Sequence, residues 1–172
     1  MAALAKGLEG IVAKKMDSPY RSGGRSSEWL KVKNVQSADC IVVGYTRGEG
    51  NRKDRFGALL LGLYDGENLV YVGRVGTGFT EKTLRELMDT FLPMKTSEKP
   101  IEAPDIPPGS TWLRPEIVAE IGYQNLTEDN RFRAARFLRL RSDKTPGECT
   151  IDQVKPVTLH ARESTLKVHA RA

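Results

Sequence analysis

The chain of 172 residues has only two cysteines and two histidines, and it contains no run of about 18 apolar residues. The absence of such a run excludes a transmembrane helix, and the first nine residues lack the apolar stretch of a signal peptide. Cys40 and Cys149 lie too far apart to suggest a zinc site, so a reducing cytoplasmic location is expected. Because His160 and His169 both lie near the end of the chain, a histidine-based triad in the core is not expected.

Apolar residues make up 39% of the chain and charged residues 28%, which predicts a packed core rather than global disorder. The formal net charge of +5 is concentrated in two places. Residues 1–55 hold 11 Lys and Arg against 6 Asp and Glu, and residues 131–144 hold six Lys and Arg against Asp143 alone. Such segments predict a polyanionic partner, with nucleic acid first and nucleotide phosphate second. The alternative is that both are ordinary solvated surfaces.

The residue patterns predict mainly β structure with one helix. Apolar residues recur at helical spacing from Leu84 to Phe91 after Thr80, a candidate N-cap, so a helix is predicted over 81–92. Asp65-Gly66 predicts a hairpin turn. Strands are predicted at 8–15, 29–33, 40–46, 58–64, 69–75, within 112–126 and at 136–141. The last five, with the helix between the third and fourth, have the order of an OB-fold, a five-stranded Greek-key barrel, although other small barrels remain possible.

Three motifs resemble those of the covalent nucleotidyltransferases. Glu9-Gly10-Ile11-Val12-Ala13-Lys14 resembles the fourth motif, Trp29-Leu30-Lys31-Val32-Lys33 the fifth, and the segment from Arg136 to Lys144 the sixth. With a small barrel between the last two, residues 7–150 resemble an ATP-dependent DNA ligase, closest to the ligase modules of bacterial and archaeal end-joining enzymes. The resemblance implies that residues 1–34 end a nucleotidyltransferase domain, that 35–150 form the OB-fold domain, and that 151–172 are a flexible tail.

The resemblance also implies which residues bind the nucleotide. Ligases transfer AMP from ATP to a lysine, then to a 5′-phosphate, and then seal the nick. Glu9 is expected to hold or orient Mg²⁺, since a hard carboxylate oxygen suits that ion. Lys31 and Lys33 share one face of a strand and are expected to reach the α-phosphate, whereas Lys14 belongs to the nucleotide site by its motif position. The alternative for these residues is an exposed strand end and a solvated strand face.

The sixth motif implies a second set of phosphate contacts. Arg141, Asp143 and Lys144 are expected to approach the β- and γ-phosphates during adenylation, because a guanidinium grips phosphate oxygens through two N–H groups. The alternative is a basic edge strand whose charge prevents aggregation. Ala134-Ala135 stands where many ligases carry Phe-Pro, which weakens the match at the entrance to this strand.

Other basic residues are expected to contact DNA. Four of them, Arg47, Arg52, Lys53 and Arg55, lie on the loop that joins the first two barrel strands, a loop that binds nucleic acid in many OB-folds. Arg74 lies among the glycines of 73–78, which either admit a phosphate to the backbone or serve a tight bend. Phe79 and Trp112 are expected to pack in the core or at its rim rather than stack on bases.

The lysine nucleophile of a ligase Lys-x-Asp-Gly motif is absent from this sequence. The nearest match, Leu63-Tyr64-Asp65-Gly66, has leucine at the lysine position. We therefore expect the C-terminal part of a DNA-repair ligase, inactive alone, that acts on nicked duplex DNA together with a nucleotidyltransferase part carrying that motif, with no membrane partner. The alternative is a free-standing OB-fold nucleic-acid-binding module, to which Asp143 beside a basic strand would be of no use.

Overall fold

The computed structural model describes residues 35–154 in full and residues 10–14 and 29–33 as strand backbone. The first two strands, β1 (Gly10–Lys14) and β2 (Trp29–Lys33), form an antiparallel pair. The strands that follow are β3 (Gln36–Arg47), β4 (Phe56–Asp65), β5 (Asn68–Val75), β6 (Lys95–Thr96), β7 (Thr111–Tyr123), β8 (Asn125–Leu126), β9 (Phe132–Arg133) and β10 (Arg136–Leu140). The helix α1 (Glu81–Phe91) lies between β5 and β6.

Five long strands build the barrel in the order β10-β7-β3-β4-β5, and every neighbouring pair is antiparallel. The central strand β3 pairs with β7 on one side and β4 on the other. Both ladders shift register between Val42 and Gly44, and such bulges bend a strand. Gly44 is required at this bend, because a Cβ there would lie 2.5 Å from the carbonyl oxygen of Thr111.

The barrel closes where the outer edge of β5 meets the segment 131–137. Arg131 Nη1 donates to the carbonyl of Tyr71 at 2.6 Å, and the N–H of Phe137 donates to the carbonyl of Thr77 at 2.9 Å. Gly78 (φ +96°) permits this approach, because a Cβ there would lie 2.2 Å from the carbonyl oxygen of Phe137. The structure thus assigns this glycine to the bend of the barrel, one of the two roles considered from the sequence.

The core fills the barrel and the underside of α1. The N-cap prediction is confirmed, since the hydroxyl of Thr80 accepts from the N–H of Thr83 at 3.1 Å. Leu84, Leu87 and Phe91 of the helix are buried. The expected packing of Phe79 is also confirmed, because its ring stacks on Phe137 at 4.8 Å between centroids. Trp112 is half-buried against the same core.

The predicted OB-fold is confirmed, with differences at element ends. The helix ends at Phe91 rather than at residue 92, and β3 begins at Gln36 rather than at residue 40. The short strands β6, β8 and β9 were not predicted, because two-residue strands leave no periodic signal. Residues Ile151–Gln153 form a 3₁₀ turn and Val154 is buried, so the folded chain continues past the expected boundary at 150.

Between residues 35 and 154 no helix is long and apolar enough to cross a bilayer.

Cys40 and Cys149 are buried and are not joined by a disulfide. Burial raises the pKa of the Cys40 thiol well above its usual range and that of Cys149 to about 11.

Candidate functional site

Arg141 is held on two sides by carboxylates just beyond the end of β10. Its Nε and Nη2 donate to the two carboxylate oxygens of Asp143 at 2.9 and 2.8 Å. Its Nη1 donates to Asp39 of β3 at 3.0 and 3.3 Å, and Glu120 of β7 lies 3.8 Å away. Only 15% of the side chain is exposed. The guanidinium is therefore fixed in direction by groups from three parts of the chain.

The hydrogen bonds between Arg141 and Asp143 shift the pKa of both side chains. The side-chain hydrogen bond from Arg141 is the main cause that holds the pKa of the Asp143 carboxyl well below its usual range. The reciprocal bond raises the pKa of Arg141 above its usual range. Asp143 is therefore negative at neutral pH, and a negative group repels phosphate. In this structure Asp143 contacts Arg141, and its expected approach to the β- and γ-phosphates stays a prediction.

Lys144 is turned toward the turn that follows. Its Nζ donates to Glu148 Oε1 at 2.9 Å, while the N–H and the hydroxyl of Thr145 donate to Glu148 Oε2 at 2.8 and 3.0 Å. This capping box begins the 3₁₀ turn Pro146–Glu148. The bond from the Thr145 N–H and the bonds from Lys144 and the Thr145 hydroxyl lower the pKa of Glu148 to about 2.

Gln153 connects this turn to β3. Its Oε1 accepts from the N–H of Asp39 at 3.0 Å, and its Nε2 donates to the carbonyl of Asp39 at 3.2 Å. Gln153 thereby fixes the backbone of the residue whose carboxylate fixes Arg141. Neither Asp39 nor Gln153 was predicted as a site residue. Asp39 lies in a β-prone run and Gln153 in the expected tail, so no local pattern marked them.

The basic loop between β3 and β4 lies against the end of β5. Arg52 Nη1 donates to the carbonyl of Gly76 at 3.1 Å, and Arg55 forms an ion pair with Glu81 at the start of α1. Arg47 is the last residue of β3, paired with Phe56, rather than part of the loop as predicted. Arg47 and Lys53 are exposed, and neither forms an ion pair with any residue that the structure describes. The four predicted loop residues therefore divide into two that fix the loop and two whose charge is available to a ligand.

Three further exposed arginines lie near the closure of the barrel. Arg74 was predicted as a DNA contact and is exposed on β5. Arg133 of β9 and Arg136 of β10 are also exposed and were not predicted individually. The charge count over 131–144 included both of them, and Arg136 also begins the segment that resembles the sixth motif. That count could not separate them from neighbours such as Arg139, which donates to Glu120 at 2.7 Å.

The residues of the fourth and fifth motifs are known here only by strand position. Glu9 lies outside the described residues. Lys31 and Lys33 of β2 are paired with Val12 and Gly10 of β1, and Lys14 is paired with Trp29. Residues two apart share a face of a strand, so the backbone is consistent with Lys31 and Lys33 lying on one face.

Two family models match the chain. The ATP dependent DNA ligase C terminal region matches residues 52–144, and the ATP dependent DNA ligase domain matches residues 1–33. The first match alone covers more than half of the chain. The chain belongs to the ATP-dependent DNA ligase family. Both matches fall in the order that the motifs indicated, with the end of one ligase domain preceding the barrel of the next.

The similar proteins include end-joining proteins and other DNA ligases. The multifunctional non-homologous end joining protein LigD of Mycolicibacterium smegmatis is 47% identical over 83% of the chain and 19% of its own length. A DNA ligase of Methanoculleus marisnigri is 37% identical over 88% of the chain and 28% of its own length. The crystal structure of the ligase domain of M. tuberculosis LigD has a TM-score of 0.64 and 35% identity, over 87% of the chain and 49% of that domain. The chain thus spans about a fifth of the LigD relatives that it matches.

Proposed function

We propose that this chain supplies the OB-fold barrel and the last strands of the nucleotidyltransferase domain to an ATP-dependent DNA ligase in DNA repair. It acts in the cytoplasm with a nucleotidyltransferase part that carries the Lys-x-Asp-Gly lysine, on nicked duplex DNA. The observation that carries this proposal is the Arg141 guanidinium, fixed by Asp39 and Asp143 at the end of a ligase-type barrel. A fixed guanidinium suits a phosphoryl-transfer site, because positioning and charge neutralisation supply most of that catalysis.

Arg141 and Lys144 both keep donors for phosphate oxygens. A guanidinium has five N–H donors, and the contacts to Asp39 and Asp143 leave at least one of them free. An ammonium has three donors, and Glu148 takes one from Lys144. In the proposed adenylation step these two residues neutralise the β- and γ-phosphates, while Lys31 and Lys33 neutralise the α-phosphate. Asp143 keeps Arg141 in position.

Magnesium would neutralise phosphate oxygens when it is bound. Within the described residues no group of three or more histidine, cysteine or acidic side chains is placed so that it could hold a metal ion. We propose Glu9 as the residue of this chain that orients the ion, with Lys14 beside the nucleotide by its motif position. No step is assigned to the barrel through the metal.

The barrel is proposed to grip the DNA backbone rather than to read bases, since nick sealing is independent of sequence. Arg47, Lys53 and Arg74 are exposed and without ion pairs among the described residues, so they are the proposed phosphate contacts. Arg52 and Arg55 are proposed to shape the loop through Gly76 and Glu81. Their part in DNA binding is then indirect.

The test is complementation. The 172-residue chain is mixed with the nucleotidyltransferase part of M. smegmatis LigD, labelled ATP, Mg²⁺ and a nicked duplex. We expect the label on the added part only, and nick sealing only when both proteins are present. Lys144→Ala should lower sealing, whereas the matched variant Lys95→Ala, which removes an exposed lysine of β6, should not.

Two results would contradict the proposal in different ways. A covalent adenylate on this chain would show that it has a nucleophile of its own. Duplex binding without any sealing in the mixture would favour a free-standing nucleic-acid-binding module instead.

A further inference from the structure

Three exposed arginines lie along the line where the barrel closes. Arg74 belongs to β5, and Arg133 and Arg136 belong to the segment that lies beside the outer edge of β5. The bond from Arg131 to the Tyr71 carbonyl marks one end of this line, and the bond from Phe137 to the Thr77 carbonyl marks the other. We call Arg74, Arg133 and Arg136 the arginine seam.

Arg133 and Arg136 differ from the arginines around them in forming no ion pair with a described carboxylate, and Arg74 acts on Asp105 only as a nearby charge that helps to lower the pKa of that carboxyl. Arg131 is paired with Asp105 at 2.9 Å, Arg139 with Glu120 at 2.7 Å and Arg141 with Asp143 at 2.8 Å. In the described part of the chain no ion pair involves any seam arginine. Exposed guanidinium groups that form no ion pair keep their charge available to a ligand that supplies negative charge.

The backbone between two of these arginines is strained. Ala134 has φ +54°, a left-handed conformation that costs a non-glycine residue about 1–2 kcal/mol. Residues three apart in a regular strand face opposite sides, so Arg133 and Arg136 would not both point outward from one. The left-handed residue between β9 and β10 breaks this alternation, and both arginines are exposed.

Protection of a strand edge does not explain the seam. Charged residues protect sheet edges that are open to other chains. The edge of β10 is closed here, because Phe137 donates to Thr77 and the hydroxyl of Thr77 donates to the carbonyl of Ala135 at 3.1 Å. The charge lies over a closed junction, where no free edge needs it.

We propose that the arginine seam binds the phosphodiester backbone of DNA, continuing the contact surface of the loop between β3 and β4. The loop and the seam adjoin, since Arg52 of the loop bonds to Gly76 directly after β5. Guanidinium groups match phosphate oxygens through two parallel N–H donors. Arg133 and Arg136 are thereby added to the DNA contacts. The inference rests on the proposed function and specifies where on the barrel the duplex lies.

The experiment uses the 172-residue chain and a fluorescein-labelled nicked duplex, with anisotropy titrations at several KCl concentrations from about 50 to 200 mM. The logarithm of the association constant falls linearly as log salt rises, and each lost phosphate contact makes this negative slope shallower by about one. Arg133→Ala with Arg136→Ala should therefore make the slope shallower by about two. Binding at about 50 mM KCl should weaken by at least about tenfold. The matched control is Lys95→Ala with Lys99→Ala, which removes the same charge from exposed lysines elsewhere and should leave the slope nearly unchanged.

Folding of each variant is checked by its thermal unfolding, and Arg133→Lys with Arg136→Lys keeps the charge and should keep the slope. Equal losses in the seam variant and the lysine control would overturn the proposal, because net charge alone would then explain both. An unchanged slope in the seam variant, with loss in Arg47→Ala plus Lys53→Ala, would overturn the seam and leave the loop as the DNA contact. Loss of ATP binding without loss of duplex binding would make the seam a nucleotide site and also refute it. Complementation tests the ligase assignment independently of all three results.

Discussion

Replacing Gly78 by alanine should open the barrel at its closure. The new Cβ would lie 2.2 Å from the carbonyl oxygen and 2.8 Å from the nitrogen of Phe137, and both are backbone atoms. Relief requires β10 to move, which sacrifices the Phe137–Thr77 hydrogen bond, worth about 1 kcal/mol, and loosens the stack of Phe137 on Phe79, worth about 0.5–1.5 kcal/mol. The φ of +96° adds about 1–3 kcal/mol of strain. We expect a loss of about 3–5 kcal/mol.

Alanine substitutions at two other glycines distinguish the cost of a positive φ from the cost of a steric clash. Gly66 has φ +63° and no atom within 4 Å of the position that an alanine Cβ would take, so Gly66→Ala should cost only about 1–2 kcal/mol. Gly147 has neither positive φ nor a near neighbour, so Gly147→Ala should change stability by less than about 0.5 kcal/mol. Urea and thermal unfolding followed by circular dichroism measure all three, and Gly78→Ala should lower Tm by about 10–20 °C. If Gly78→Ala destabilised no more than Gly66→Ala, the close approach at Phe137 would not be a constraint on the fold.

Three further outcomes are expected. Arg131→Ala removes the pair with Asp105, the bond to the Tyr71 carbonyl and the contact with the Tyr71 ring, so urea unfolding should show a loss of about 2 kcal/mol. Ala134→Gly relieves a left-handed alanine and should raise stability by about 0.5–1 kcal/mol in the same assay; a loss would mean that the alanine is unstrained. The stabilisation from Glu148, with a pKa lowered to about 2 against about 4.3 unfolded, is present above the unfolded value and is lost as the pH falls through the folded value. The difference in urea midpoint between the wild type and Glu148→Gln should therefore shrink from pH 6 toward pH 2, and a constant difference would contradict this cause.

Local chemistry made much of the barrel predictable. The Thr80 cap, the helical spacing up to Phe91 and the Asp65-Gly66 turn are each decided by residues within one or two turns of one another. The hairpin between β4 and β5 forms as expected, with Gly66 at φ +63°. The sequence order of strands and helix then limited the topology to small barrels, and the family motifs selected the OB-fold.

The partners of the charged residues could not be predicted in this way. Arg141 meets Asp39 across 102 residues of sequence, and Arg131 meets Asp105 across 26. A basic run in the sequence states how much charge is present but not which carboxylates the fold brings to it. For this reason Arg52 and Arg55 were grouped with Arg47 and Lys53, although the structure gives them different surroundings.

The difference between arginines that are paired with carboxylates and arginines that are not explains how one short segment can serve two ligands. Between residues 131 and 144 the arginines fall into a paired set, which the barrel holds in fixed directions, and an unpaired set that faces solvent. A fixed guanidinium such as Arg141 suits a single phosphate in a defined geometry, because its orientation is set before the ligand arrives. Exposed, uncompensated guanidiniums such as Arg133 and Arg136 suit a polymer whose phosphates vary in position. After Arg131, which Asp105 pairs, the distribution of carboxylates therefore separates the proposed DNA contacts Arg133 and Arg136 from the proposed nucleotide contact Arg141.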